Sequence, residues 1–383
     1  MTGDLTIVLP VKDRATFTRR WLAYASASGL PFKVVIADGG ADETIATMVS
    51  TDAVFSRLDC EYLRFPYDAT YADYYAKVHQ ALEHVGTPLV ALADNDDFLA
   101  PEGVQQAADF LLQHPDYTSC GGQCAVFWVE PEADEEALYG RGVEWKISLD
   151  AQSVTADTAR ERIRTQSLRA TYPIFYHVHR AERLRHRFRL VREANLQDLF
   201  LVEYLLWFLT AIDGKTHQLD TLFVARQWNS PGSSGLAHVE QFGDWLGRML
   251  VPSWSDDFAR FVAITSAALA ARDGLSADEA RRAIIESYRM LVAPALLADL
   301  LAEPTTSVPM TVVAGVARRL LRLPEAHLLR RAGRAAYRRV PWIAADAVRG
   351  TELRARRVAG ADRAFAPVRE FLTHSAAALQ TRD

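Results

Sequence analysis

The chain has 383 residues, and its 49% hydrophobic and 24% charged content is typical of a folded globular enzyme with room for two domains. Its formal net charge of -5 excludes general nucleic-acid binding by the whole chain, and no apolar run is long enough to predict a transmembrane helix. Three cysteines, an odd number, argue against a disulfide framework and predict a reducing, cytoplasmic compartment. The first residues lead directly into an apolar strand, so we also expect no secretory signal.

Strands and helices alternate over the first hundred residues. The predicted strands are Leu5–Leu9, Phe32–Ala37, Cys60–Arg64 and Leu89–Ala93. The predicted helices are Ala15–Ser28, Ala41–Thr51, Asp73–Val85 and one that begins at Pro101. This alternation predicts an α/β fold with a mostly parallel sheet and helices on both faces.

The middle of the chain mixes both kinds of element. In order, we predict a strand pair across Ser119–Val129 with glycines at its bend, an acidic loop at Pro131–Gly142, a strand at Ile174–Arg180, an apolar helix at Gln197–Asp213, a strand at Gln218–Arg226 and a glycine- and serine-rich loop at Trp228–Leu236. The loop is a candidate lid. Cys120 and Cys124 lack the second pair of ligands that a zinc site needs, so a metal site there is disfavoured.

From about Pro252 onward the pattern is helical. The candidate helices are Phe258–Ala271, Ala277–Leu301, broken near Pro294, and Val312–Leu323, with a linker at Pro304–Pro309. The stretch Arg318–Arg357 holds twelve arginines against three acidic residues. Such a basic tail predicts contact with an acidic partner or a membrane surface, and the alternatives are a solvated face that pairs with the acidic half of the chain or a dimerisation element.

Polar residues follow three of the predicted strands. They occupy Pro10–Arg14, Asp38–Gly40 and Asp94–Asp97, and the carboxyl ends of parallel strands meet at one edge, where ligands bind. Asp94, Asp96 and Asp97 directly follow a buried strand, where carboxylates are costly unless something positive holds them. The spacing therefore favours a divalent cation with a phosphate group, although a polar turn or a helix cap is the alternative.

Four segments, in this order, resemble the inverting glycosyltransferases of family two, whose fold is called GT-A, and most closely a bacterial subset from polysaccharide biosynthesis. They are Ile7–Arg14, Val35–Gly40, Lys77–Phe98, and Gln197–Glu203 followed by Val224–Gln227. The resemblance implies a Rossmann-like nucleotide-sugar and acceptor domain at 1–250. A helical extension at 251–310 and a basic helical tail at 311–383 would then follow.

The resemblance also implies a donor site. Asp94 and Asp96 match the Asp-x-Asp motif, whose acids hold the Mn²⁺ or Mg²⁺ that bridges the donor diphosphate, and Asp97 would support them or cap the next helix. Asp38 matches the acid that contacts the base or ribose, with a plain turn residue as the alternative.

Five further residues are predicted to line the donor site. Pro10, Lys12 and Arg14 line the first loop, where Lys12 or Arg14 would approach the diphosphate. A surface salt bridge is an equal alternative for each of these two cations. Lys77 would reach the nucleotide or stay solvated, and Arg226 would touch phosphate or acceptor. In the family, a histidine that follows the last core strand completes the metal shell in some members, and His238 fits that position.

An inverting transfer needs one carboxylate base to take the acceptor proton. Related enzymes carry it at the start of a helix, often as Glu-Asp, and Gln197-Asp198 matches that position, so we expect Asp198 to be the base, with a helix cap as the alternative. Glu203 is a second catalytic candidate, but it falls about 140° round the helix and should not share that role. Glu193 is a further candidate, and the alternating His177 and His179 would line the acceptor site or be structural.

The expected activity is therefore metal-dependent inverting glycosyl transfer from a nucleoside-diphosphate sugar. Glycan, lipid-linked and protein hydroxyl acceptors are all compatible, as are a homo-oligomer and peripheral contact with the inner membrane face through the basic tail. A nucleotidyltransferase is the weaker alternative, because the loop Pro10–Arg14 has no glycine. The second alternative is a non-catalytic GT-A-like module that recruits a partner or an anionic membrane through its tail.

Overall fold

The fold is built on one sheet, which has nine strands among the residues that the structure describes. The computed structural model describes residues 3–52, 55, 57–131, 138–148, 152–169, 174–231, 234–243, 245–301 and 360–373. The strands are β1 (Leu5–Val11), β2 (Lys33–Asp38), β3 (Cys60–Arg64), β4 (Leu89–Leu92), β5 (Phe98–Leu99), β6 (Tyr117–Pro131), β7 (Gly140–Ser148), β8 (Val178–Arg180) and β9 (Lys215–Gln227). Their order is β3-β2-β1-β4-β8-β6-β9-β5, and β7 pairs with β6.

The first four strands form a parallel set in the order β3-β2-β1-β4, with β1 between β2 and β4. Pairing of Val8 with Val35 on one side and with Leu92 on the other makes the carboxyl ends of β1, β2 and β4 neighbours. All seven residues of β1 are buried, as expected of a strand covered on both faces. Antiparallel pairs of β4 with β8 and of β8 with β6 join this set to the second half of the sheet.

Helices cover both faces of the sheet. They are α1 (Ala15–Ala27), α2 (Thr44–Thr51), α3 (Tyr71–Glu83), α4 (Pro101–Gln113), α5 (Ala159–Arg169), α6 (Ala181–Ala194), α7 (Leu199–Asp213), α8 (Ser234–Phe242), α9 (Trp245–Met249), α10 (Pro252–Asp273) and α11 (Ala277–Leu301). The apolar faces of α1, α2 and α4 pack in one core, and those of α3, α6 and α7 pack in a second core on the other face. The α/β prediction, with helices on both faces, is confirmed.

The predicted helical C-terminal region is also confirmed. The helices α10 and α11 share the second core with α7 through Phe261, Leu269 and Ile284. A further helix, α12 (residues 360–373), packs on the opposite face of β5, β6, β7 and β9. No helix in the described part of the chain combines the length and the apolar character that crossing a membrane requires.

Several sequence predictions need correction. The segment predicted as a bent strand pair is the single strand β6, because Gly121 and Gly122 serve close packing: a Cβ on Gly121 would lie 2.2 Å from the His177 ring. The partner of β6 in the hairpin is β7, which begins at Gly140 near the end of the predicted acidic loop and continues to Ser148. Strand β8 is shorter than predicted, since a 3-10 helix occupies Ile174–Tyr176, and α11 continues through Pro294.

Four helices, α5, α6, α8 and α9, were absent from the sequence prediction, and α8 begins inside the predicted loop Trp228–Leu236. The helices α5 and α6 are rich in arginine, which hides the apolar face that packs against the core. The predicted linker Pro304–Pro309, the helix Val312–Leu323 and the basic stretch Arg318–Arg357 lie outside the described residues.

Candidate functional site

Three carboxylates lie together where β4 ends. One oxygen from each of Asp94, Asp96 and Asp97 falls within 4.8 Å of the others. The strand places them there because Leu89–Leu92 is fully buried and the chain turns sharply toward β5 directly afterwards. Burial, followed by the charges of Asp96 and Asp97, raises the pKa of Asp94 to about 7. A cluster of this kind has an excess of negative charge that a cation would relieve.

Asp97 serves as a structural bridge between this turn and β9. Its Oδ1 accepts a hydrogen bond from the Gln227 backbone N–H at 2.9 Å, and its Oδ2 accepts one from Arg226 Nε at 2.9 Å. The Tyr176 hydroxyl lies 2.6 Å from Asp97 Oδ2 and 2.5 Å from Asp94 Oδ2. Asp97 does not cap the next helix, whose N-cap is Ala100.

Asp94 and Asp96 each keep one oxygen available. Within the described part of the chain, neither Oδ1 accepts a hydrogen bond, while each Oδ2 is held by one partner. Two open carboxylate oxygens beside a saturated third acid suit a hard divalent cation that takes its remaining ligands from water or phosphate. The residues present therefore fit the predicted Mn²⁺ or Mg²⁺, with Asp94 and Asp96 as the ligands.

Arg14 lies directly against the acid cluster. Its guanidinium donates to Asp96 Oδ2 at 3.1 Å and to the Ser230 hydroxyl at 2.6 Å, and it stacks on the Phe17 ring at 4.0 Å. Asp13 and Arg14 both have positive φ angles, 54° and 50°, an unusual pair for residues that are not glycine. The sharp turn that they make directs Arg14 from the end of β1 toward the end of β4.

Asp38 is fully buried at the end of β2. The Tyr62 hydroxyl and the Arg64 guanidinium hydrogen-bond one of its oxygens at 2.7 and 3.0 Å, and the Gly40 N–H hydrogen-bonds the other at 2.7 Å. At this strand end the Arg64 side chain is partly exposed, whereas that of Asp38 is fully buried.

Two other donor-site candidates also have internal partners. Lys77 is buried, where it pairs with Asp68 and donates to the Val11 carbonyl at 2.7 Å. It therefore braces the first loop from behind instead of reaching a nucleotide. The Lys12 ammonium lies 4.6 Å from the centre of the Tyr67 ring, and Pro10 is buried within β1.

Asp198 lies at the start of α7, as predicted, but its carboxylate is fully engaged. It caps the helix through the Leu201 N–H at 2.8 Å and forms a two-pronged ion pair with Arg248 at 2.9 and 3.0 Å. His238 Nε2 lies 3.5 Å from Asp198 Oδ2, so the structure places His238 beside this acid and outside the cluster of three. The pKa of Asp198 is lowered: burial, the largest effect, raises it, but the hydrogen bonds and charges of His238 and Arg248 outweigh that effect.

Glu203, one turn further along α7, has an exposed side chain. The surrounding protein raises its pKa through loss of solvation, while the nearest positive groups, Arg226 first, oppose that shift. The pKa of Tyr75 is raised by burial and then by the charges of both Glu203 and Asp94. One buried phenol therefore lies near both carboxylates, so Glu203 is close to the acid cluster.

The remaining candidates lie elsewhere. Glu193 is on the exposed face of α6, 3.9 Å from Arg189. His177 and His179 are buried in the sheet, and His179 contacts the buried Arg187 at 3.0 Å.

Sequence reasoning missed Tyr176, Arg20 and Asp68. Tyr176 holds two acids, the buried Arg20 donates to the Asp96 carbonyl at 3.1 Å, and Asp68 holds Lys77. Burial lowers the pKa of Arg20 to about 10. The one signal for Arg20 was its position on the apolar face of α1, next to Trp21.

The structure is similar to three solved structures of S. aureus TarS residues 1–349, each 13% identical to this chain. The TM-score is 0.45 for the structure without a named ligand, covering 81% of this chain and 78% of that one. It is 0.46 for the UDP-GlcNAc complex, with 81% and 79% covered, and 0.43 for the UDP complex, with 76% and 72% covered. No protein-family model matches the chain, and no curated protein matches its sequence. A likeness at this level does not by itself assign an activity.

Proposed function

We propose that this protein is a metal-dependent glycosyltransferase of GT-A type that moves a sugar from a nucleoside diphosphate to a hydroxyl acceptor with inversion. The observation that carries the proposal is the pair of open carboxylate oxygens on Asp94 and Asp96, at the carboxyl end of a central parallel strand. Ligands of open α/β sheets bind beyond this edge. The family-two resemblance of the same segment supports the assignment.

The bound cation would neutralise the charge that develops on the departing diphosphate. The chain supplies two guanidinium groups beside the same place. Arg14 and Arg226 hold Asp96 and Asp97 respectively, each with a partly exposed side chain. We propose that both orient the phosphates, because planar guanidinium groups match phosphate oxygens closely.

We propose Glu203 as the base that removes the acceptor proton, in preference to Asp198. A base must reach the acceptor hydroxyl, and Glu203 is exposed and has a raised pKa, whereas both oxygens of Asp198 are occupied. Asp198 then has a supporting role: it fixes the start of α7 and so the orientation of Glu203 one turn later.

The donor site is tested by calorimetry with UDP, GDP, CDP and CMP, each with and without Mn²⁺. We expect one nucleotide to bind only with metal, and Asp96→Asn to weaken that binding at least about tenfold, because a ligand to the cation is lost. Asp278→Asn, on the exposed first turn of α11, is the matched control and should bind as the parent chain does. A folded protein that binds none of the four nucleotides would contradict the proposal and favour a non-catalytic module.

The two base candidates are separated by comparing Glu203→Gln with Asp198→Asn. Glu203→Gln should lower the rate of sugar transfer by about a hundredfold or more while leaving nucleotide binding and unfolding temperature unchanged. Asp198→Asn should lower the unfolding temperature, since the buried Arg248 loses its partner. If Glu203→Gln transfers at the parent rate while a stably folded Asp198→Asn does not, Asp198 is the base.

A further inference from the structure

Two tryptophans lie at the surface beyond the acid cluster. Trp228 directly follows β9 and is 67% exposed, the largest exposure of any aromatic side chain in the described residues. Its ring centre lies 6.4 Å from that of the half-buried Trp128, on β6. An exposed indole leaves a large apolar surface in water, so a fixed pair of them marks a contact site more often than a lone surface residue does.

The pair lies on the same face of the sheet as the residues that hold the acids. In the parallel pairing of β6 with β9, Val126 lies opposite Arg226 and Phe127 lies opposite Gln227. The next residue on each side is a tryptophan, so Trp128 lies beside Trp228. Side chains two residues apart on a strand share a face, so Trp228 lies one pleat, roughly 7 Å, beyond Arg226. Two residues after Trp228 in the chain comes Ser230, which accepts the hydrogen bond from Arg14.

The other face of this hairpin is already covered. Phe127, Val129 and Trp145 pack against α12 in one apolar cluster, whereas Trp128 packs toward the acid side. On that open face, Glu144 lies directly opposite Trp128 in the antiparallel pair, and the Lys146 ammonium lies 5.0 Å from its ring centre. The surface thus combines flat apolar rings with a charged donor and a charged acceptor.

Hydrogen bonds to β6 position the backbone at Trp228. Its N–H donates to the Phe127 carbonyl at 2.9 Å, which extends the strand pairing by one residue. The Asn229 side chain then bonds both backbone groups of Val129, at 3.2 and 2.8 Å. Because these hydrogen bonds already order the loop, less conformational entropy is lost when a ligand binds.

We propose that Trp128 and Trp228 form a saccharide-binding platform that holds the acceptor glycan beside the transfer site. That the surface binds a saccharide is inferred from the surface alone. That this saccharide is the acceptor rests on the proposed function. A pyranose ring presents an apolar C–H face, which packs on an indole, and hydroxyl groups at its rim, which Glu144 and Lys146 bind. A lipid chain would leave the charged Glu144 and Lys146 without polar partners. A nucleobase also stacks on indole, and the nucleotide-binding measurements on the tryptophan variants separate it from a saccharide.

The test uses the full chain and a fixed panel of tetrasaccharides made of glucose, N-acetylglucosamine, galactose or mannose, at millimolar concentration. Binding is measured by saturation-transfer NMR. We expect at least one tetrasaccharide to bind, Trp228→Ala and Trp128→Ala to weaken it at least about tenfold, and Trp228→Phe to restore part of the loss. Leu168→Ala, which removes an exposed apolar side chain from α5, is the matched control and should bind as the parent chain does.

Nucleotide binding with Mn²⁺ is measured on the same proteins and should not change in either tryptophan variant. If the parent chain binds none of the tetrasaccharides, or if Trp228→Ala binds them as well as the parent does, the platform is refuted. If tetrasaccharide binding depends on Trp228 but no nucleotide binds, the platform stands and the transferase proposal fails. The two failures are therefore distinguishable.

Discussion

At the scale of single residues, three neighbouring aspartates differ because of what touches them. Asp97 is saturated by Arg226, Gln227 and Tyr176, so it ties two strands together. Asp94 and Asp96 each keep an open oxygen. An Asp-x-Asp-Asp sequence cannot reveal this division, because the partners of Asp97 lie 79 to 130 residues away.

His177 provides a prediction about pH. Burial lowers its pKa from 6.5 to about 4, so the unfolded chain binds a proton at a higher pH than the folded chain does. The contribution of His177 to stability is therefore complete above pH 6.5 and is lost as the pH falls toward 4, up to about 3 kcal/mol. His177→Phe should flatten the fall in the free energy of unfolding between these pH values, measured by urea denaturation.

Comparing His177→Phe with the parent chain separates the pH effect of His177 from that of Asp94, which both proteins share. The raised pKa of Asp94 has the opposite sign, since it removes stability as the pH rises toward 7. His186→Phe, at an exposed position on α6, is the control and should keep the parent slope. An unchanged slope in His177→Phe would mean that the His177 ring is already protonated in the fold.

At the scale of elements, α12 completes the far face of the β6–β7 hairpin. Phe365 is fully buried there, with its ring 4.9 Å from Trp145 and 6.0 Å from Phe127. On the same helix, Phe371 lies 6.0 Å from Phe98, the residue that follows Asp97. This helix therefore supports the acid turn from behind.

Phe365→Ala should lower the free energy of unfolding by about 3 kcal/mol, because it leaves a cavity between α12 and the hairpin. Guanidinium denaturation measures the loss. The control is Arg363→Ala, which removes an exposed side chain from the same helix and should cost less than about 0.5 kcal/mol. Equal midpoints for the two variants would show that α12 contributes little to the stability of the fold.

At the scale of the whole molecule, the C-terminal helices and the sheet share one core. Phe261 and Ile284 are fully buried in the same cluster as Val8, Val35 and Leu205. In addition, the buried Asp257 on α10 accepts hydrogen bonds from the backbone N–H groups of Gln197 and Asp198, at 2.7 and 2.8 Å. The helical layer therefore fixes the start of α7 and with it the base candidates.

A chain truncated after residue 250 should not fold stably, because α7 would expose the apolar face that α10 and α11 cover. We expect the full chain to unfold in a single transition over residues 1–301, followed by circular dichroism and tryptophan fluorescence together. The truncated chain should show no cooperative transition. A truncated chain with the parent midpoint would establish 1–250 as an independent domain.

The sequence by itself determined the α/β alternation, the bounds of β3 and the position of the acids at the end of β4. These features depend on local patterns: short apolar runs, glycine after a helix, and carboxylates after a buried strand. The arginine-rich helices α5 and α6 were not predicted, because arginine counts as polar in a sequence pattern. In the fold, however, the alkyl parts of these side chains are buried and their guanidinium groups bind backbone carbonyls. Gly121 was misread for a similar reason, since its need for a small residue comes from the His177 ring, 56 positions away.

Only the tertiary structure decided which acids and cations are open to a ligand. Arg14 faces Asp96, Lys77 is occupied by Asp68, and Asp198 is occupied by Arg248, although the sequence offered each of them as a site residue. We prefer Glu203 as the base because its side chain is exposed, whereas both oxygens of Asp198 are occupied. The reason is physical: local sequence fixes backbone periodicity, but the availability of a charged group depends on partners that folding brings from distant parts of the chain.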